Sequence, residues 1–180
     1  RGIIHCEEPH EDFLRTGGRM HGFQIWVNLP KAHKMMQPRY QEVPSSESPL
    51  VEQDGVWARV IAGECMGTSS SIDTKIPITL IHVKMEAGSQ LLQQFEPGLN
   101  GMIYVFGGEV VIDNGLRMKT QPISHGLGTK QQIQDGELGI LSEGEEIIIR
   151  STSASEFLIL AGPELDEPIE RYGPFVMNTR

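Results

Sequence analysis

His5 and Glu7 stand two positions apart in Arg1-Gly2-Ile3-Ile4-His5-Cys6-Glu7-Glu8-Pro9, a run whose apolar residues predict a short strand. Residues i and i+2 of a strand project from one face, so imidazole and carboxylate are expected side by side. Inside a pocket, such a pair offers one nitrogen and one oxygen donor to a borderline or hard ion such as Fe, Mn, Ni or Zn. Cys6, between them, points to the opposite face and is not counted as a ligand. Two donors seldom retain a transition metal against water, and known sites use three or four. The pair therefore predicts half of a metal site.

The run His21-Gly22-Phe23-Gln24-Ile25-Trp26-Val27-Asn28-Leu29-Pro30 predicts a strand over residues 23–29. Alternation puts Phe23, Ile25 and Val27 on a core face and Gln24, Trp26 and Asn28 on the other. His21 and Gln24 are the candidates for lining a substrate pocket. Their alternatives are a hydrogen-bonded structural histidine and a strand-edge glutamine. His82, inside the apolar run Ile78-Thr79-Leu80-Ile81-His82-Val83, is expected as a satisfied side chain of a β-domain, whereas His10, His33 and His125 occupy polar, loop-like contexts. No nucleophile elbow, phosphate-binding loop, dinucleotide fingerprint or CxxC pair occurs, which sets aside hydrolases, kinases and Rossmann oxidoreductases.

The elements that must position these groups are strands. Helical periodicity is almost absent, and 20 Gly and 11 Pro punctuate short β-rich runs. The clearest strands cover residues 23–29, 57–62, 76–85, 101–106, 109–113, 138–141, 146–151 and 156–161. Phe106-Gly107-Gly108-Glu109 predicts a tight hairpin, and Asn114-Gly115 another turn. Pro44-Ser45-Ser46-Glu47-Ser48-Pro49 is the linker candidate, ahead of a nearly complete antiparallel barrel or jelly roll. A faint internal repeat sets Gly144-Glu145-Glu146-Ile147-Ile148-Ile149 against the opening run, with Ile149 at the place of His5 and Ser151 at that of Glu7. On that alignment the second half has lost both metal-binding side chains.

Composition narrows the class further. The chain has 180 residues, 38% hydrophobic and 22% charged, the balance of an ordinary globular protein. Fifteen basic against 24 acidic residues give a net charge of −9, a field that repels a phosphate backbone and disfavours direct nucleic-acid binding. No apolar run approaches the ~20 residues of a membrane helix. The two cysteines, Cys6 and Cys65, show no disulfide-scaffold spacing, so free thiols in a reducing, cytoplasmic setting are expected. The chain opens without Met inside a strand and stops at Asn178-Thr179-Arg180, so it is expected to be cut at both ends.

Beyond the opening run, three blocks share an ordered spacing: residues 21–30, Lys34-Met35-Met36-Gln37-Pro38-Arg39-Tyr40-Gln41, and Glu167-Pro168-Ile169 followed by Tyr172-Gly173-Pro174-Phe175-Val176-Met177-Asn178-Thr179. Together they closely resemble the pirin family of the cupin superfamily, along the whole chain. The resemblance implies an all-β fold, a bicupin of two facing β-barrels of which the first alone carries metal. Residues 1–50 would be the C-terminal part of the N-terminal metal-binding barrel, itself incomplete here. Residues 51–165 would be the C-terminal cupin domain without metal ligands, and residues 166–180 a tail returning to the first.

The resemblance also implies a ligand set. In the family a His-x-His pair precedes a His-x-Glu pair that matches His5 and Glu7. The earlier pair has no counterpart, so the parent protein is expected to bind Fe(II), or another divalent transition metal, and this chain weakly or not at all. Two functions follow from the resemblance. One is a non-haem iron dioxygenase of the quercetin 2,3-dioxygenase type, taking a flavonol-like substrate and O2, with Glu7 as ligand and base or as ligand only. The other is a non-catalytic, iron-dependent regulator binding protein partners such as transcription factors, with nuclear location open for an animal protein. A monomer is expected.

Overall fold

The structure, a computed structural model, describes residues 8–113, 121–122, 132–142, 144–173 and 175–179. His5, Cys6, Glu7, His125 and the turn expected at Asn114-Gly115 lie outside the described residues. The chain divides into two compact units. Unit 1 joins Arg1–Tyr40 to Leu165–Arg180, and unit 2 is Gln41–Glu164.

Unit 2 is built from strands β1 (Leu50–Gln53), β2 (Val56–Ala62), β3 (Glu64–Cys65), β4 (Thr68–Ser69), β5 (Thr79–Met85), β6 (Gln90–Gln94), β7 (Leu99–Gly107), β8 (Glu109–Asp113), β9 (Gln121–Pro122), β10 (Gln132–Gln134), β11 (Leu138–Ile140), β12 (Glu146–Ser151) and β13 (Ser155–Pro163). One sheet runs in the order β1-β2-β5-β13-β7-β11-β9 and a second in the order β10-β8-β12-β6. Alternation decides what lies between them. Val56, Ala58 and Val60 of β2, Ile81 and Val83 of β5, and Phe157 and Ile159 of β13 face inward. They meet Val110, Ile112, Ile147 and Ile149 of the smaller sheet in one core. Both Ile149 and Ser151 of β12 are buried, so the two positions matched to His5 and Glu7 share the inward face.

The Gly107-Gly108 step corrects one expectation. It is no hairpin: β7 pairs with β11 and β13, whereas β8 pairs with β10 and β12, so the chain changes sheets there. Gly108 has φ +72°, and a Cβ on it would lie 2.2 Å from the Ala154 carbonyl oxygen. Only glycine fits a left-handed corner with backbone this close. Ser155 Oγ secures the corner, accepting from the Glu109 N–H at 3.0 Å. The linker candidate is itself a turn within unit 2. The Glu47 N–H donates to the Pro44 carbonyl at 2.9 Å, and the Arg59 guanidinium donates to the Ser45 carbonyl.

Unit 1 contains helix α1 (Glu11–Thr16) and the hairpin β14 (Glu170–Tyr172) with β15 (Phe175–Met177). Residues 23–29, expected as a strand, form none in the described structure. Phe23, Ile25 and Val27, expected as core, are exposed. A β-favouring run becomes a strand only where a neighbour supplies the ladder, and among the described residues of unit 1 the strand pairing is that of β14 with β15.

Candidate functional site

Of the residues expected to form a site, His5 and Glu7 lie outside the described residues. His21 and Gln24 sit in the irregular segment after α1, both exposed, with the His21 ring 5.4 Å from that of Phe23. Nearby, Lys34 Nζ donates to Asn28 Oδ1 at 2.5 Å, and the Arg171 guanidinium lies 5.7 Å from the Trp26 ring centre. Glu167 ties three segments of unit 1 together: Oε2 accepts from the Lys31 N–H at 2.7 Å and from Asn178 Nδ2 at 3.0 Å. A hollow of about 590 Å³ follows the hairpin, lined by Arg171, Tyr172, Phe175 and Met177. Among the described residues no group of three or more His, Cys, Asp or Glu could hold a metal ion.

Unit 2 assembles a cluster on the outward face of its larger sheet. The same alternation that buries Ala58, Val83 and Phe157 turns Trp57, His82, Lys84 and Glu156 outward. Register then aligns Trp57 with Lys84 and Lys84 with Glu156 across three neighbouring strands. His82 Nε2 donates to Glu156 Oε1 at 2.7 Å, and Lys84 Nζ stands 3.3 Å from the same oxygen. The Trp57 ring meets His82 edge-on at 5.2 Å, and Phe106 lies 5.7 Å from His82 on the other side. Arg59 Cζ and Lys84 Nζ are each 5.4 Å from the Trp57 ring centre.

Partial burial pushes the Glu156 carboxyl upward, but hydrogen bonds from His82 and Lys84, with their charges, outweigh it and hold the group below its ordinary value. The cluster is therefore a carboxylate-centred ion-pair network with an oriented imidazole, and its described members include no nucleophile. Cys65 is a free thiol, but it is buried. Burial first, and the Glu64 charge second, push it up to about 11, which keeps it protonated and unreactive at neutral pH. The sequence offered His82 as a satisfied strand residue, and the structure supplies its partner. Glu156 was legible only as the first residue of an expected strand, because its pairing with His82 spans 74 residues.

Comparison with known proteins agrees with this architecture. Residues 80–180 match the Pirin C-terminal cupin domain. The chain is 34% identical to rat (Rattus norvegicus) Pirin over 99% of its own length and 56% of that protein. It is 32% identical to a tomato (Solanum lycopersicum) Pirin-like protein, covering all of this chain and 56% of the relative. Among solved structures, a quercetin 2,3-dioxygenase from Acinetobacter baumannii superposes with a TM-score of 0.72 at 31% identity, over 86% of this chain and 50% of that one. The chain thus spans about half the length of these proteins. With its all-β cupin fold and this match across most of its sheets, the chain belongs to the pirin family.

Proposed function

We propose that the chain is part of a metal-dependent dioxygenase of the flavonol-cleaving type, with His5 and Glu7 as metal ligands. One observation carries the reading: the His5-x-Glu7 pair opens a chain that is 31% identical, over 86% of its length, to a solved quercetin 2,3-dioxygenase. The inward orientation of Ile149 and Ser151 supports it, since the repeat places His5 and Glu7 at those positions. Residues 1–50 then form the later part of a metal-binding barrel, residues 51–165 a barrel without metal ligands, and residues 166–180 a return to the first. Glu167, bonded to Lys31 and Asn178, is the tie that return would require.

An imidazole nitrogen and a carboxylate oxygen suit a divalent iron, but the remaining donors come from outside the described residues. Iron held there supplies Lewis acidity and access to O2. Glu7 would take the proton of a flavonol hydroxyl on its carboxylate oxygen, a base role for which geometry and a suitable pKa are both required. His21 and Gln24 would border the substrate. The test is O2 uptake with loss of flavonol absorbance in a longer, metal-loaded form of the protein, abolished by Glu7→Ala and by His5→Ala.

A second reading, an iron-dependent regulator that binds protein partners, draws on the hairpin of unit 1. There Tyr172 is 86% and Phe175 64% exposed, an aromatic pair of the kind that anchors interfaces. That reading predicts partner binding that differs between ferrous and ferric protein without flavonol turnover.

A further inference from the structure

Alternation along β6 turns Leu91 and Gln93 to the inside of unit 2, and Phe95 follows them into the core. Gln93 is 2% exposed and stands opposite Ile147 of β12. A buried carboxamide needs partners for its nitrogen and for its oxygen. The nitrogen has them, since Nε2 donates to the Glu64 carbonyl at 2.9 Å and to the Gln94 carbonyl at 2.5 Å. The oxygen has none. Among the described residues, Gln93 Oε1 is the one buried side-chain nitrogen or oxygen without a hydrogen-bond partner. Exchanging the two ends of the amide would set its oxygen against two carbonyl oxygens and strand the donor instead. The buried hydroxyls of Ser151 and Ser155, by contrast, bond each other at 3.1 Å.

The place of this amide in the fold narrows what could satisfy it. β6 is an edge strand of the smaller sheet, and β3 pairs only with β4 in a separate two-stranded sheet. The bond from Gln93 to Glu64 therefore crosses a seam that no ladder closes among the described residues. A partner for Oε1 must be a donor, because the amide's own hydrogens are both engaged. It must also be neutral. Leu91, Phe95, Cys65 and Ile147 of the surrounding core supply no counter-ion, and the exposed Glu64 carboxylate is bonded to Ser69 Oγ at 2.9 Å. A charge stripped of water there would gain a single amide oxygen in return. Finally it must be small, since an interior at native density leaves few voids larger than one water molecule. Water meets all three limits, and it can donate its second hydrogen to the Glu64 carbonyl, an oxygen with two lone pairs.

We propose that unit 2 holds one long-lived internal water molecule at the seam between β6 and β3, donating to Gln93 Oε1. The 180-residue chain is crystallised at a resolution that shows ordered water, and ¹⁷O relaxation dispersion counts its long-lived waters in solution. Gln93→Met, of similar length and without the amide, is the comparison. The wild type should show a single water within hydrogen-bond distance of Oε1, and the count should fall by one in the folded variant. Should Gln93→Met fail to fold, cross-relaxation from water to the Gln93 side-chain amide protons of the wild type stands in for the count and should be seen. Density without water at Oε1, an amide that turns to accept from a protein group, a larger molecule at the seam, an unchanged count in folded Gln93→Met, or no cross-relaxation would each overturn the proposal.

Discussion

Glu156 Oε1 lies 2.7 Å from His82 Nε2 on the neighbouring strand, with Lys84 Nζ 3.3 Å from the same oxygen. One carboxylate thus joins an imidazole and an ammonium on the outward face of a sheet whose inner face is mainly apolar.

Replacing Glu156 by Gln tests that arrangement through pH. Its folded pKa is lowered, so its contribution is present above the unfolded carboxyl range and is lost as pH falls through the folded value. Wild-type stability should therefore decline more steeply than that of Glu156→Gln below about pH 4.5, the unfolded value. Near pH 7 the variant should be less stable by about 1 kcal/mol, after allowance for solvent screening of a side chain 35% exposed. Urea denaturation at several pH values measures both.

Gly108→Ala places a methyl group 2.2 Å from the Ala154 carbonyl oxygen at a φ of +72°. A loss of at least ~2 kcal/mol in unfolding free energy is expected from clash and backbone strain together. Gly136→Ala has a similar φ of +80° and nothing within 4 Å, so it isolates the conformational part and should cost less.

Cys65 makes an alkaline prediction. Its pKa is raised from 9.0 to about 11 in the folded chain, so its stabilising effect is complete below pH 9. The effect is lost as pH rises to about 11, because the unfolded chain ionises first. Over that range the wild type should lose up to about 2–3 kcal/mol more than Cys65→Ala, the equivalent of a two-unit shift. The same burial should make the native thiol slow to react with a disulfide reagent at neutral pH.

Glu167→Ala removes the acceptor for the Lys31 N–H and for Asn178 Nδ2. Amide exchange at Lys31 and along β14–β15 should quicken by about tenfold, the equivalent of one to two hydrogen bonds. The sheets of unit 2 should be unaffected.

How much of this was legible in the sequence depended on the range of the interaction. Alternation in Val56-Trp57-Ala58-Arg59-Val60 and the β-branched run Ile147-Ile148-Ile149 marked strands, because each pattern is local. Gly107-Gly108 announced a sharp turn, but whether the chain returns or crosses to a second sheet depends on partners far along the sequence. The run around Phe23 reads as a strand for the same local reasons, yet the described structure gives it no ladder. The ion-pair network needed the β5–β13 register, and neither Glu156 nor Lys84 carries a motif. His5 and Glu7 are the reverse case, a pair visible in the sequence alone.

The most direct test of the metal reading is elemental analysis by mass spectrometry, on the 180-residue chain and on a longer form carrying the residues that precede it, each reconstituted with Fe(II). The account predicts near-stoichiometric iron in the longer form, little in the chain alone, and loss of iron in folded His5→Ala and Glu7→Ala variants. A longer form that stays metal-free, or that keeps its iron in both variants, would contradict it.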